Sequence, residues 1–219
     1  MKNKIRIEVL NEKIDDLCKG YDDILWGRNK YLAQDKEKFE LIYKEIKKIK
    51  KQEQKYSCCY CNVSLIESHE MIIDVEHILP KSVFNRMTFV LDNLSISCKR
   101  CNMGIKSDDL SFFNKNESEF KKINDEKKVG LSSDYKIIHP NLDNIYTYVH
   151  REEISIDGFK LTLFKFNNNG KEKYHKSYFQ LGEITRSCLD AIQGIEPRKN
   201  YLRASSIDLL KGDDGLVHR

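Results

Sequence analysis

Three patterns in the sequence predict an α+β protein. Near the N-terminus, Phe39, Ile42, Ile46 and Ile49 recur at steps of three and four residues, which is the period of an amphipathic helix. Short β-branched segments in the middle of the chain predict strands, and the last third mixes strand-like segments with turn residues. These patterns divide the chain into a helical N-terminal segment (1–55), a central core (56–110) and a mixed α/β C-terminal lobe (111–219).

The composition excludes several classes of protein. Of the 219 residues, 40% are hydrophobic and 33% are charged, which is typical of a well-solvated globular chain and excludes a disordered one. No apolar run reaches the roughly 20 residues of a membrane span, and the first residues lack the apolar stretch of a secretion signal. We therefore expect a cytoplasmic protein without membrane contact. The net charge of +4 is too small by itself to indicate a nucleic-acid partner.

The first long element is a helix predicted from about residue 34 to residue 54. Its lysines outnumber its acids. Charge runs are common on helix surfaces, so a solvated outer face is the simpler interpretation of these lysines, and a surface that faces phosphates is the alternative. The lysines of interest, in its second half and directly after it, are Lys44, Lys47, Lys48, Lys50, Lys51 and Lys55.

The remaining elements follow in order. Residues 71–76 and 94–97 predict two strands separated by a long loop, and residues 101–107 predict a short helix after them. The polar stretch 109–133 predicts a solvated connection with some helix. Beyond it, we expect strands at 135–138, 145–149 and 161–166, a turn at 167–170, and helices near 177–192 and 198–211.

Two exact CxxC pairs indicate a zinc site. Cys58 and Cys61 form the first pair, and Cys98 and Cys101 form the second, with 36 residues between them. Thiolates are soft ligands that suit zinc, and two such pairs can close a tetrahedral four-sulfur site. Cys59 competes less well because only one residue separates it from Cys61. Four protein ligands leave no open position, so we expect a structural zinc.

An acidic residue and a histidine lie between the two cysteine pairs. Adjacent residues on a strand point to opposite faces, so Glu76 can face a metal while His77 faces a substrate; the alternative is a core histidine beside a solvent-exposed glutamate. The amide of Asn93 can brace the loop that carries His77, or can simply belong to a turn. Asn102 can bind a hard cation through its carbonyl oxygen, or can cap the helix that follows it. Together with the zinc site, these residues indicate a metal-dependent phosphodiesterase.

The order of these residues resembles a known family. Asp-x-Glu-His-Ile-x-Pro, then Asp-Asn-Leu, then Cys-x-x-Cys-Asn with Lys106 four residues on, is similar to the HNH endonucleases of the ββα-metal class, in the subtype with four zinc cysteines. The resemblance covers about residues 56–108, a quarter of the chain. It implies that His77 is the general base, that Glu76 and Asn102 bind the catalytic metal, and that Asn93 braces the histidine.

The resemblance also implies a cofactor and a substrate. A single Mg²⁺ or Mn²⁺ would contact the scissile phosphate, and the substrate would be DNA. Asp74 matches an acid that the family often has two residues before the first metal ligand. Lys99, Arg100 and Lys106 lie close in sequence to the site and are candidates for holding the nucleic-acid backbone, followed by Lys81.

The size and layout of the chain resemble the HNH subunit of Septu-type phage-defence systems. This implies a defence role beside an ABC-type ATPase. Two alternatives stay open from the residues themselves. One is an HNH nuclease that cleaves RNA such as tRNA, since no residue here reveals a contact with the 2′-hydroxyl. The other is a non-catalytic zinc-ribbon module that binds nucleic acid or protein.

Overall fold

The computed structural model of the chain describes residues 2–19, 21, 26, 30–66, 72–157, 159–167 and 170–192. The predicted α+β class is confirmed, because helices alternate with two separate two-stranded antiparallel sheets. Within these ranges, no helix has the length and apolar character needed to cross a membrane. The helix predicted near 198–211 lies outside the described residues.

Two helices form the N-terminal segment. Helix α1 spans Lys2–Cys18, and helix α2 spans Lys36–Glu53 after a short 3-10 turn at Ala33–Asp35, so the helix predicted from the apolar repeat is confirmed. The repeat buries one stripe of α2, because residues three and four apart share a helix face. That stripe packs against Leu10, Ile14 and Leu17 of α1 in one apolar cluster.

The central hairpin follows. Strands β1 (Ile73–His77) and β2 (Leu94–Cys98) pair antiparallel, close to the predicted positions. The side chain of Gln54, just beyond α2, acts as a short extra partner for β2. Its Oε1 accepts a hydrogen bond from the amide of Ile96 (2.7 Å), and its Nε2 donates to the carbonyl of Ile96 (2.9 Å). The end of α2 is thereby fixed to the sheet.

A π-helical turn at Arg100–Lys106 follows β2, where a short helix was predicted. Helix α3 (Glu117–Glu126) is the helix expected within 109–133. It begins with a capping box: the Asn116 side chain accepts from the amide of Glu119, and the Glu119 side chain accepts from the amide of Asn116. This exchange satisfies two amides at the helix start.

The C-terminal lobe differs from the prediction in three places. Residues 135–138 are no strand; they make one isolated bridge, Phe113↔Tyr135, and their apolar side chains are buried in the core. The strand predicted at 145–149 is a helical turn, α4 (Ile145–Tyr148), because Asn144 caps it by accepting from the amide of Tyr146 (3.1 Å). The chain also reverses at Asp157 between two paired strands, where no turn was predicted; the turn predicted at 167–170 lies between the second of these strands and the next helix, and its central two residues lie outside the described ranges.

The last elements complete this lobe. Strands β3 (Val149–Ile156) and β4 (Phe159–Phe166) pair antiparallel, and helices α5 (Lys171–Tyr178) and α6 (Leu181–Ile192) follow them. The predicted strand at 161–166 and the predicted helix near 177–192 are thus confirmed, with the helical region divided in two. One buried apolar cluster runs from Cys58 to Leu181, so the central segment and the C-terminal lobe share a core.

Candidate metal and catalytic site

Four cysteine sulfurs meet where the loop after α2 lies against the end of β2. Cys58, Cys61, Cys98 and Cys101 offer sulfur atoms that all lie within 4.8 Å of one another, and the Cys61 and Cys98 sulfurs are 3.8 Å apart. A tetrahedral zinc with bonds of about 2.3 Å separates its sulfurs by about 3.8 Å. The group can therefore hold a zinc ion, and its four members are the cysteines of the two CxxC pairs. Cys59 is buried outside it.

The charges of these thiols favour a cation. Burial alone would raise the pKa of Cys58, but hydrogen bonds from the neighbouring thiols lower it well below its ordinary value. Hydrogen bonding to Cys58 and burial raise the pKa of Cys101 well above its ordinary value. One thiolate is stabilised at the expense of the others, because several bare thiolates this close would repel one another. A divalent cation removes that repulsion.

His77 ends β1 in a closed environment. Its Nε2 lies 3.0 Å from the carbonyl oxygen of Thr88. A carbonyl can only accept, so Nε2 carries the proton and Nδ1 keeps its lone pair. The Trp26 ring packs edge-on against the imidazole, with the centroids 4.6 Å apart. Burial, and then the positive charge of Lys81, lower the pKa of His77 to about 3. The imidazole is therefore neutral at physiological pH.

Asn93 ties together the two ends of the loop that follows His77. Its Oδ1 accepts from the amide of Leu79 (2.7 Å), and its Nδ2 donates to the carbonyls of Leu79 (3.1 Å) and Met87 (3.2 Å). Asn93 is fully buried, so these bonds are not exchanged for bonds to water. They fix the backbone of the loop that follows His77, and the bracing role of Asn93 stays a prediction.

Glu76 points into the protein. Its Oε1 lies 2.8 Å from Nζ of Lys106 and accepts from the hydroxyl of Tyr60 (3.0 Å). Burial raises the pKa of Glu76, and Lys106 opposes that rise. Lys106 also donates to the carbonyl of His77 (2.9 Å), and it is only 1% exposed. The structure thus places Lys106 as an internal partner of Glu76 and His77, and this position gives no support to its predicted contact with the nucleic-acid backbone.

Asp74 and Asn102 meet at the partly exposed edge of the same sheet face. Nδ2 of Asn102 donates to Oδ2 of Asp74 (3.2 Å), which leaves the amide oxygen of Asn102 as its remaining acceptor. Lys99 lies 3.6 Å from the other oxygen of Asp74 and is half exposed. Across the strands, the register places Ser97 opposite Asp74 and Ser95 opposite Glu76.

The sheet face that carries Asp74 is rich in oxygen atoms. The hydroxyls of Ser95 and Ser97 are buried and find no hydrogen-bond partner among the described residues. Mg²⁺ and Mn²⁺ prefer oxygen ligands. The face offers oxygens from Asp74, Asn102 and the two serines, so its donor set fits such a cation. Glu76 faces the same side, but in this structure Lys106 already neutralises it.

Arg100 is held by the C-terminal lobe. Its guanidinium donates to the carbonyls of Phe179 (2.9 Å) and Gln180 (3.2 Å), between α5 and α6. As for Lys106, these internal partners give no support to a contact with phosphate. Lys81 lies at the surface, close enough to His77 for its charge to lower the pKa of the ring. From the sequence it was a weaker candidate for a contact with the nucleic-acid backbone than Lys99, Arg100 and Lys106.

Three further residues contact the site and were not predicted from the sequence. Tyr60 lies inside the first cysteine pair, where its hydroxyl reaches Glu76. Trp26 reaches His77 from outside the motif, and only its being the single tryptophan of the chain could have drawn attention to it. His175 lies more than a hundred residues away, yet its Nε2 donates to the carbonyl of Tyr60 (2.7 Å). No local pattern links it to the cysteines.

The chain was also compared with known proteins. No family model, curated protein or solved structure matches it. What the site can do must therefore be judged from the residues and contacts of this chain.

Proposed function

We propose that the chain is a metal-dependent endonuclease that hydrolyses phosphodiester bonds in DNA by HNH-type chemistry. One observation carries most of the weight. A histidine with a fixed tautomer, His77, ends the strand whose other face presents the oxygens of Asp74 and Asn102. The cysteine group that can hold zinc lies at the far end of the same hairpin. Hydrolysis of a phosphodiester by this chemistry requires a base and a set of oxygen ligands for a metal, and one hairpin carries both.

His77 would act through Nδ1. The bond from Nε2 to Thr88 orients the ring and supports the imidazolium that forms when Nδ1 takes a proton from the attacking water. Asn93 holds the turn on which the ring depends. In the described state His77 is only 7% exposed, so the substrate can reach it only if the surroundings of the ring open. An approaching phosphate would also raise its low pKa, because a nearby negative charge favours the protonated ring.

Asp74, Glu76 and Asn102 are the residues that would hold Mg²⁺ or Mn²⁺. Such a cation, when bound, would neutralise charge on the phosphate and on the leaving oxygen. Before the cation arrives, Lys106 balances the charge of Glu76. A role in phage defence beside an ATPase partner belongs to the same proposal and rests on the resemblance alone.

The test is nicking of supercoiled plasmid by the zinc-loaded protein with Mg²⁺ or Mn²⁺. We expect His77→Ala to reduce the rate about 100-fold to 10,000-fold, the usual contribution of a general base. His150→Ala is the matched control, because His150 is an exposed histidine on β3.

Equal activity of His77→Ala and the parent protein would remove His77 from the mechanism. Cleavage of a structured RNA without cleavage of plasmid would assign the same chemistry to RNA. A folded, zinc-loaded protein that cleaves neither would favour the zinc-ribbon binding module.

A further inference from the structure

One face of α2 forms a groove rich in lysine. The groove has a volume of about 590 Å³ and is lined by the lysines and tyrosines of this face, with Glu40 at one end. We call it the lysine groove; its lining residues are Lys44, Lys47, Lys48, Lys51, Tyr43 and Tyr56. Lys44, Lys48 and Lys51 follow one another at steps of four and three, so they share one face of the helix.

The charges of the groove differ from those elsewhere on α2. Lys44 and Lys48 are exposed and form no ion pair with a residue in the described ranges. On other faces of the same helix, Lys38 pairs with Asp35 (3.3 Å) and Lys50 pairs with Glu53 (3.0 Å). Glu40 contributes one carboxylate at the end of the groove against four lysines, and such an excess of positive charge creates a field that attracts anions. The groove is therefore a candidate binding surface for an anion.

The groove adjoins the candidate catalytic histidine. Tyr43 in the groove packs against Trp26, with the ring centroids 5.7 Å apart, and Trp26 also packs against His77, with the centroids 4.6 Å apart. One aromatic ring thus separates the wall of the groove from the proposed base. An anion bound in the groove would run beside the site of hydrolysis.

We propose that the lysine groove binds the phosphate backbone of the nucleic acid that is presented to His77. This inference rests on the proposed function and adds where the substrate lies. Lysines one helical turn apart are spaced by about 6 Å along the axis, so one strand can contact several of them. Tyr43 and Tyr56 offer ring surface beside the lysines, a combination common where proteins follow a nucleic-acid strand.

The test measures binding in a protein that cannot cut. In a His77→Ala background, the affinity for a fluorescein-labelled DNA duplex is measured by fluorescence anisotropy from about 50 to 200 mM salt. We compare Lys44→Gln/Lys48→Gln with Lys121→Gln/Lys173→Gln, which removes the same charge from two exposed helical lysines outside the groove. Circular dichroism checks that each variant folds.

The groove variant should bind more weakly at every salt concentration. The slope of log affinity against log salt should become shallower by about 2, because each phosphate contact contributes about 0.9. The control variant should keep the slope of the parent.

An unchanged slope in the groove variant, while the parent binds, would overturn the inference and leave the proposed function standing; the lysines would then belong to a solvated face or to an acidic protein partner. An equal loss of DNA affinity in the groove variant and the control variant would also overturn the inference, since any exposed lysine would then contribute equally to binding. A parent that binds no DNA, even at the lowest salt, would overturn the proposed function and this inference together.

Discussion

The ion pair between Lys106 and Glu76 lies directly behind the proposed general base. Both side chains are 1% exposed, and the same ammonium donates to the carbonyl of His77. Removing one partner of a buried pair leaves the other charge without compensation, which costs far more than the pair gains. The pair therefore controls both the ionisation of Glu76 and the position of the backbone at His77.

Lys106→Met should lower the free energy of unfolding by about 3 to 5 kcal/mol, because Glu76 would stay buried without a cation. The double variant Lys106→Met/Glu76→Gln should recover part of that loss, since it removes the uncompensated charge. Urea unfolding at neutral pH measures both. A single variant as stable as the parent, or a double variant less stable than the single one, would contradict this account of the pair.

At the scale of single residues, the sequence motif predicts which residues lie near one another, but it does not predict which way each side chain points. The hydrogen bonds of Asn93 connect residues of one loop, so its place near His77 follows from local sequence, while the roles of both residues stay predictions. The role of Lys106 could not be predicted, because it depends on which way a side chain of the π-helical turn points. A lysine near an acidic motif is usually at the surface, and only the packing shows that this one is inside.

The cysteine group that can hold zinc is a junction between elements. Cys98 ends β2, Cys101 lies in the π-helical turn, and Cys58 and Cys61 lie in the loop after α2. A metal bound by all four would fix the end of the hairpin relative to the turn that carries Asn102. The geometry of the Asp74–Asn102 pair depends on that junction.

Cys98→Ser should lower the bound zinc from about one ion per chain to almost none and should reduce the melting temperature, because structural zinc contributes directly to folding. Cys188→Ser is the matched control: Cys188 is a partly buried cysteine in α6, outside the group. Metal analysis of the purified protein and thermal unfolding measure the two effects. A Cys98→Ser protein that retains zinc and melts with the parent would exclude a role for this sulfur.

Among the elements, periodicity succeeded where apolar and polar side chains alternate between two faces and failed for a short apolar run in the core. The stripe of α2 and the strands of the hairpin have one apolar face, so their periods are visible in the sequence. Residues 135–138 are apolar because they fill the core, and they pair with no strand beyond one bridge. A short apolar run in the sequence is compatible both with a strand and with an irregular segment that fills the core, so the pattern alone does not decide between them.

At the scale of the whole molecule, two histidines of the C-terminal lobe lie buried, and one of them, His175, connects distant segments. His175 accepts from the amide of Ile138 through Nδ1 and donates to Tyr60 through Nε2. His139 accepts from the amides of Asn141 and Leu142 through Nδ1. Burial lowers the pKa of His139 to about 3 and that of His175 to about 4. Both rings therefore stay neutral in the folded protein at mildly acidic pH.

The protein should lose stability on acidification from pH 7 to pH 5. Unfolded histidines take up protons below about pH 6.5, while these two do so only near pH 3 to 4, so the unfolded state binds more protons between these limits. Each histidine should lower the free energy of unfolding by about 2 kcal/mol between pH 7 and pH 5. The loss should level off below the folded pKa values.

His139→Asn should reduce this pH dependence by about 2 kcal/mol, because the Asn oxygen can replace Nδ1 as an acceptor but does not titrate. Urea unfolding at the two pH values measures the difference. His150→Asn, at an exposed position, should leave it unchanged. An undiminished pH dependence in His139→Asn would show that the buried ring is not its source.

The shared core was the feature least accessible from the sequence. Cysteine spacing and the acid–histidine pair define the central segment by local pattern, but the contacts of His175 and Arg100 join residues far apart in the chain. Such contacts leave no periodic trace. The boundary at residue 110 was predicted from the sequence pattern and stays a prediction. The buried apolar cluster continues across that position.

The hydrogen bonds of Asn93 have a consequence for evolutionary change. One side chain holds Leu79 and Met87, so the loop between them is anchored at both ends independently of what it carries. The exposed residues near its start, 81–83, can therefore be replaced or lengthened without displacing the histidine. Substitutions there would change the surface beside the proposed base while His77 keeps its position.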